Sequence, residues 1–342
     1  MNSSIIQHAI KMIQRGTLPN EAEAEQVFTT IMEGRATQAQ IGALLMGLSI
    51  RGETPEVVAG AARAMRSAAM VIRPQSSSLL DTCGTGGDGA NTFNISTAVA
   101  LVVAACGQKV AKHGNRAISS KSGSADILEA LGVRLTLTPE QVSDCIDQVG
   151  IGFLFAPGHH PAMKHAAAPR RELGIRSVFN LLGPLTNPAH AQYQILGVYA
   201  QDRLELVAKA LQKLGTQRAL IVHGRDGLDE ITTTDITDAI LVEGDHPLQK
   251  FEIDPAAFGI PYATPHALMG GDAPFNAAIL RHIFAGQQGA ARDIILLNAG
   301  AALWLTQTVE NISAGIVMAA NAIDQGAVQR KLQALIQFTE HL

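Results

Sequence analysis

DTCGTGGDGANTFNIST, residues 81–97, is the stretch that decides the fold. Leu79 and Leu80 before it read as a short β-strand, and residues 97–106 after it read as a helix closed by Gly107. A glycine-rich loop between strand and helix lets backbone N–H groups approach an anion, and the helix dipole favours negative charge there. Gly84, Gly86 and Gly89 satisfy G-x-G-x-x-G. A dinucleotide site, however, also needs an acidic residue about 20 positions on, and none stands between Gly89 and Ala125. The G-x-x-x-x-G-K-[ST] of a nucleotide P-loop is absent too. A phosphate cradle supported by Asn94, Ser96 and Thr97 survives these exclusions, with a plain tight turn as its alternative.

Upstream, residues 1–72 read as all-helical. Ile6, Ile10 and Ile13, then Val27 and Ile31, then Ile41, Leu44, Leu45 and Leu48 recur at helical spacing. Thr37 and Gln40 form a capping-box pattern, Thr54 precedes a proline at the first helical position, and Gly34 and Gly52 stand where helices end. This predicts about four short helices whose apolar faces serve a core or a subunit interface. Downstream, candidate strands 79–80, 109–112, 151–155, 195–199, 219–223 and 239–243 alternate with helical runs such as 125–131 and 139–149. From about Ala273 only helices are expected, with apolar runs at 294–305 and 312–323. Alternating β and α units imply a parallel sheet covered on both faces. The expectation is therefore an α/β protein: a small N-terminal α-helical domain, 1–72, and a larger α/β domain, 73–342, with a mostly parallel central sheet.

Composition narrows the partners. The 342 residues are 47% hydrophobic and 16% charged, well outside the disordered regime. With 26 basic against 30 acidic side chains the net charge is −4, which argues against nucleic acid or an anionic membrane as the main partner. The longest apolar run, 98–106, is about half of what a membrane-crossing helix needs. The N-terminal stretch lacks the pattern of a secretory signal. Cys83, Cys106 and Cys145 are scattered and odd in number, so neither a disulfide framework nor a CxxC metal site can be drawn. They read as small buried hydrophobes, with Cys83 alone in the glycine-rich loop. A cytoplasmic location is expected.

Three further stretches carry chemistry. Residues 112–126, KHGNRAISSKSGSAD, place basic groups among serines with no acid before Asp126, which suits several phosphate oxygens; a solvated basic loop is the alternative. Asp229 and Glu230, adjacent in GRDGLDEITTTD, suit a hard cation such as Mg²⁺, or else form a solvated acidic turn. In residues 152–188, Arg170, Arg171 and Arg176 could clamp a carboxylate. His159, His160 and His165 match no zinc pattern and read as surface residues or as supports behind the site.

Together GTGGD, NIST, KHGNRAISSKSGSAD, GLDE, the FLFAP, RRELG and FNLLGPLTNP segments, and GETPEVVAG in the helical start closely resemble the anthranilate phosphoribosyltransferases, over nearly the whole chain. The resemblance implies a fold of the nucleoside phosphorylase/phosphoribosyltransferase type, Mg²⁺ as cofactor, and a homodimer through the helical domain, with part of 170–188 packing on that domain. It also implies that Gly84, Gly87, Asp88, Thr92, Asn94, Ile95, Ser96, Thr97, Lys112, His113, Gly114, Asn115, Arg116, Ala117, Ile118, Ser119, Ser120 and Ser124 bind phosphoribosyl pyrophosphate. Gly84, Asn115 and Arg170 match the anthranilate positions, and Ser96, Asp229 and Glu230 the magnesium positions. Ser177, where the family often has Thr, and Ala168-Pro169, where Pro-Val is common, remove no functional group. Because an aromatic amine is neutral at pH 7, no dedicated general base is expected; His113 is the candidate if one exists. A pyrimidine nucleoside phosphorylase and a non-catalytic nucleic-acid-binding relative are the alternatives. The first lacks its S-G-R-G-x-x-x-T-G-G-T-x-D pattern here, and the second should have lost GTGGD and gained a basic face.

Overall fold

The computed structural model describes residues 3–117 and 121–341, so Ile118, Ser119 and Ser120 lie outside the described residues. Four helices come first: α1 (Ser3–Gln14), α2 (Glu21–Met32), α3 (Gln38–Arg51) and α4 (Pro55–Ser67). Their starts are written in local chemistry. Thr37 and Gln40 close a reciprocal capping box at α3, and Thr54 accepts from the Val57 N–H at α4. A second capping box, Asn20 with Glu23, opens α2.

The chain then alternates: β1 (Leu79–Gly84), α5 (Ile95–Ala105), β2 (Lys109–Gly114), α6 (Ser124–Leu131), α7 (Pro139–Val149), β3 (Ile151–Phe155), α8 (Ala156–His159), α9 (Lys164–Leu173), α10 (Phe179–Leu185), β4 (Tyr193–Gly197), α11 (Leu204–Lys213) and β5 (Arg218–Gly224). An antiparallel pair, β6 (Thr237–Glu243) and β7 (Gln249–Ile253), precedes α12 (Ala273–Phe284), α13 (Ala290–Leu305), α14 (Ile312–Asp324) and α15 (Ala327–Glu340). The seven strands lie in the order β3-β2-β1-β4-β5-β6-β7, parallel as far as β5 and antiparallel beyond it.

Alternation along β5 sorts its side chains between two cores. Leu220 and Val222 face α5 and α12–α15, whereas Ala219 and Ile221 face α11 and a cluster continuous with the N-terminal helices. Helix α5 is the centre of the first core, with nine of its eleven residues buried, as expected of a helix apolar all round.

Several boundaries differ from the sequence reading. The 79–80 strand continues to Gly84 because β4 pairs with it along its length, which puts Cys83 in a strand and not in the loop. Strand 195–199 is shifted back to Tyr193–Gly197 by the same pairing. Strand β7 escaped notice since Gln249, Lys250 and Glu252 are exposed, as suits an edge. His159 and His160 are buried, at 4% and 7% exposure, and so are not surface residues. They sit behind the sheet edge under α10, where Met70 O meets His159 Nδ1 at 3.1 Å.

Candidate active site

The site forms where β1, β2, β4 and β5 end. After Gly84 the chain turns through Gly86, Gly87, Gly89 and Asn91, all at positive φ, which is why a side chain with a Cβ is disfavoured at three of the four. The loop is tied down at both ends. Thr85 N–H donates to Gly197 O (2.9 Å) and Thr85 Oγ1 accepts from Tyr199 N–H (3.0 Å). Further on, Gly270 N–H donates to Asn91 O (2.8 Å) and Phe93 N–H to Leu268 O (3.2 Å). Asn94 makes no cap for α5; its amide joins three segments instead, donating to Ser122 O (3.1 Å) and accepting from Asn276 Nδ2 (3.0 Å).

The carboxylate pair lies over this loop. Asp229 Oδ2 accepts from Gly86 N–H at 2.7 Å, and Glu230 Oε1 accepts from Ser96 N–H at 3.2 Å in the first turn of α5. Behind Glu230, buried Asn298 clamps Ile231 through both its N–H and its carbonyl. Gly84 and Gly197 make the approach possible: a Cβ on the first would stand 2.4 Å from Asp229 Oδ2, and on the second 1.6 Å from Asp229 O. Burial, with Asp88 and Glu230 close by, pushes Asp229 well above the usual carboxylate range. Burial also raises Glu230, to about 7, against the pull of Lys112. Two carboxylates so placed gain from a nearby cation.

Lys112, 2% exposed, reaches from β2 under the loop to Thr82 O (2.5 Å) and Ser96 Oγ (3.3 Å). Burial lowers its ammonium pKa while Asp81, Cys83 and Glu230 oppose that shift. His113, next on the strand, points to the other face, its ring centroid 5.2 Å from that of His160. Burial and the neighbouring histidines push His113 down to about 3, and its Nε2 finds no partner among the described residues.

The remaining predicted residues go to different places. Ser124 Oγ donates to Asn115 O (3.2 Å), and Asn115 Oδ1 accepts from Arg116 N–H (2.8 Å). Arg116 is engaged by Asp126 (3.0 Å) and Glu129 (2.6 Å), while Asp126 also accepts from Ala117 N–H (2.9 Å). Ile95 and Thr97 turn their side chains into the core, and the Thr97 hydroxyl has no partner among the described residues, so these two can serve a ligand only through the backbone. Thr92, Gly87, Asp88 and Gly114 are half-buried around the loop mouth.

The three arginines separate. Arg170 stacks over Phe179 (5.1 Å) with no carboxylate against it among the described residues, Arg171 is exposed, and Arg176 lies over Tyr199 (4.4 Å) and donates to Gly87 O. Arg176 thus pins the glycine loop. The contributions of Asp81, Asn187, Asn276 and Asn298 had no visible mark in the sequence, since a lone polar residue in an apolar run does not announce its partner.

Ser96, Asp229 and Glu230 fit a magnesium ion chemically. They offer oxygen donors, burial and neighbouring carboxylates raise the pKa of both acids, and among the described residues no larger His/Cys/Asp/Glu cluster competes. Mg²⁺ keeps much of its water and takes one or two carboxylates with substrate phosphates.

A helical bundle joined to an α/β domain, with an anion loop facing paired carboxylates, defines a glycosyl transferase: the family model described as "Glycosyl transferase family, a/b domain" matches residues 76–329, and that described as "helical bundle domain" matches 7–69. An anthranilate phosphoribosyltransferase from Acetivibrio thermocellus is 50% identical over 335 residues, covering 98% of this chain and 97% of its own length. The Thermus thermophilus anthranilate phosphoribosyltransferase structure superposes with a TM-score of 0.91 at 42% identity, over 97% of this chain and 99% of that one. The Saccharomyces cerevisiae enzyme, in complex with PRPP and Mg, gives 0.91 at 27% identity over 99% of each. The chain belongs to the anthranilate phosphoribosyltransferase family.

Proposed function

We propose that the protein transfers the phosphoribosyl group of 5-phosphoribosyl 1-pyrophosphate to the amine of anthranilate, giving N-(5-phosphoribosyl)anthranilate and pyrophosphate, in tryptophan biosynthesis. The observation that carries this reading is the carboxylate pair folded onto the glycine loop, with Gly86 N–H on Asp229 and Ser96 N–H on Glu230, above a buried lysine.

The diphosphate and ribose would lie along Gly84, Gly87, Asp88, Thr92, residues 94–97, residues 112–120 and Ser124, with Ser96, Asp229 and Glu230 holding Mg²⁺. When bound, that ion would neutralise charge on the diphosphate oxygens. The barrier is cleavage at ribose C1, where positive charge grows as the pyrophosphate departs with negative charge. Lys112, held in place by Thr82 O, would face that negative charge with little need to reorganise. Arg170, with no carboxylate partner among the described residues, would take the anthranilate carboxylate, with Gly84 and Asn115 holding the amine in attack geometry. The amine is neutral near pH 7 and needs no strong base. A His113 imidazole at about 3 is a poor proton acceptor at that pH.

Exposed Met46 and Ile50, one turn apart on α3, support a homodimer through the helical domain. No helix among the described residues is long and apolar enough to cross a membrane, and the scattered thiols suit the cytoplasm. Domain boundaries at 1–72 and 73–342 belong to the same reading.

The test mixes the purified protein with anthranilate, phosphoribosyl pyrophosphate and Mg²⁺. Anthranilate fluorescence should fall while one pyrophosphate appears per anthranilate consumed. No loss of fluorescence overturns the assignment, and turnover unaffected by EDTA removes the metal from Asp229 and Glu230.

A further inference from the structure

The buried run IILLNAGAALWL of α13, residues 294–305, carries a single amide, Asn298, which is 1% exposed. An amide among apolar neighbours costs stability unless its donors and its acceptor are engaged. Here all are. Nδ2 donates to Ile231 O (2.7 Å) and to Ile294 O one turn back on its own helix (2.8 Å), while Oδ1 accepts from Ile231 N–H (3.1 Å). Two carbonyls face the nitrogen and one N–H faces the oxygen, so the amide has a single orientation. Ile231 meets no other backbone group among the described residues, and its side chain is fully buried in the core that α13 and α5 share.

The Ile231 N–H lies in the same planar peptide as the Glu230 carbonyl. Holding the one therefore sets the plane from which Glu230 Cα projects. Ser96 N–H, on α5, holds the far end of the Glu230 side chain at 3.2 Å. Asp229 is fixed by other means, its closeness to Gly84 and Gly197 and its bond from Gly86 N–H. We propose that Asn298 is a positioning residue for the divalent ion: by fixing the Glu230–Ile231 peptide it keeps the Glu230 carboxylate beside Ser96, where it reaches the same Mg²⁺ as Asp229. The proposal rests on the phosphoribosyl-transfer reading for the ion and its phosphorylated ligand. Arg170, stacked on Phe179 in the other core, is left as it was.

Asn298→Ala removes the amide. Asn298→Asp keeps its shape but sets an oxygen against the carbonyls of Ile231 and Ile294. Leu303→Ala, further along α13 and also fully buried, is the control for lost packing. Mg²⁺ is titrated calorimetrically into each protein with phosphoribosyl pyrophosphate present and anthranilate absent, against a blank of phosphoribosyl pyrophosphate alone. Both Asn298 variants should bind Mg²⁺ about tenfold or more weakly, the scale expected when a group that orients a metal ligand is lost. Their anthranilate KM should stay within about twofold of wild type. Leu303→Ala should melt earlier yet keep its Mg²⁺ affinity within about twofold. Unchanged affinity in folded Asn298 variants overturns the proposal. So does equal weakening in Leu303→Ala, or loss of a cooperative melt in both Asn298 variants, since the amide would then hold the core and not the carboxylate. A wild type that binds no Mg²⁺ in this titration sinks the magnesium assignment instead, and one that does not turn over anthranilate sinks the functional reading.

Discussion

Gly84 shows how much of a site can depend on an absent atom. A methyl group there would press on Asp229 Oδ2 at 2.4 Å, and the carboxylate cannot retreat because its own main chain lies on Gly197. Gly84→Ala should therefore displace Asp229 and lower kcat/KM by about 10²-fold, the scale of small misplacements in a reacting geometry. The overpacking itself costs about 1–3 kcal/mol, so the protein should still fold. Steady-state kinetics beside a thermal melt check this, and wild-type kcat/KM in the alanine variant would show that Asp229 has no fixed post. Ser96, Lys112, Asp229 and Glu230 were legible in the sequence because phosphate and cation chemistry call for those residue types beside glycines. The arginines were legible only as a group. Nothing in their spacing says that Arg176 would donate to Gly87 O while Arg170 lies over the Phe179 ring; tertiary packing decides between them.

Strand β2 puts Lys112 toward the loop and His113 toward α8 and α10, because successive side chains alternate across a sheet. The result is a buried group of neutral histidines, His113 at about 3 and His160 at about 4, lowered by burial and by one another, with His159 lowered as well. Folded values below the unfolded 6.5 mean that in acid the unfolded chain takes up protons the folded chain refuses. Their stabilising effect is present above about pH 6.5 and is lost as pH falls through the window toward 4, at up to about 1.4 kcal/mol per pH unit for each histidine. His160→Asn should remove its share. The urea midpoint of the variant should drop less than that of wild type between about pH 7 and about pH 5, and an identical drop in both would show that His160 does not titrate across that window. Elements with strong periodicity and caps, such as α3 and α7, were readable almost to the residue. By contrast β1 and β4 were misjudged at their ends because pairing with each other, not local preference, sets where they stop.

One apolar cluster joins the N-terminal helices to one face of the sheet. It begins in α1–α4 with residues such as Ile6, Phe28 and Leu45, passes through Val178, Phe179 and Leu182 near α10, and ends on Leu196 and Ile221 of the sheet. Phe28 and Phe179 meet edge to face at 5.7 Å. Polar ties follow the same route: Arg66 Nε donates to Leu185 O at 2.8 Å, and Arg203 pairs with Glu53 at 3.0 Å. The sequence offered a change of rhythm near residue 72, because helical and βα patterns differ locally. The family resemblance implied that part of 170–188 would pack on the helical domain, but nothing in the local pattern marked α4 as shared, one side packing on α2 and another on α10 and α11. A bundle of four helices of 12–14 residues is short by itself, since isolated helices of that length are marginal and small cores bury little surface. Expressed alone, residues 1–72 should therefore lack the α9, α10 and α11 side chains that complete their core. The expected outcome is reduced helicity by circular dichroism and a broad, non-cooperative melt. Adding a segment through residue 214 would not rescue it cheaply, because the intervening strands need the rest of the sheet. A sharp cooperative transition from residues 1–72 alone would show instead that the bundle is an independent folding unit and that its contacts with α10 and α11 are those of a docked domain.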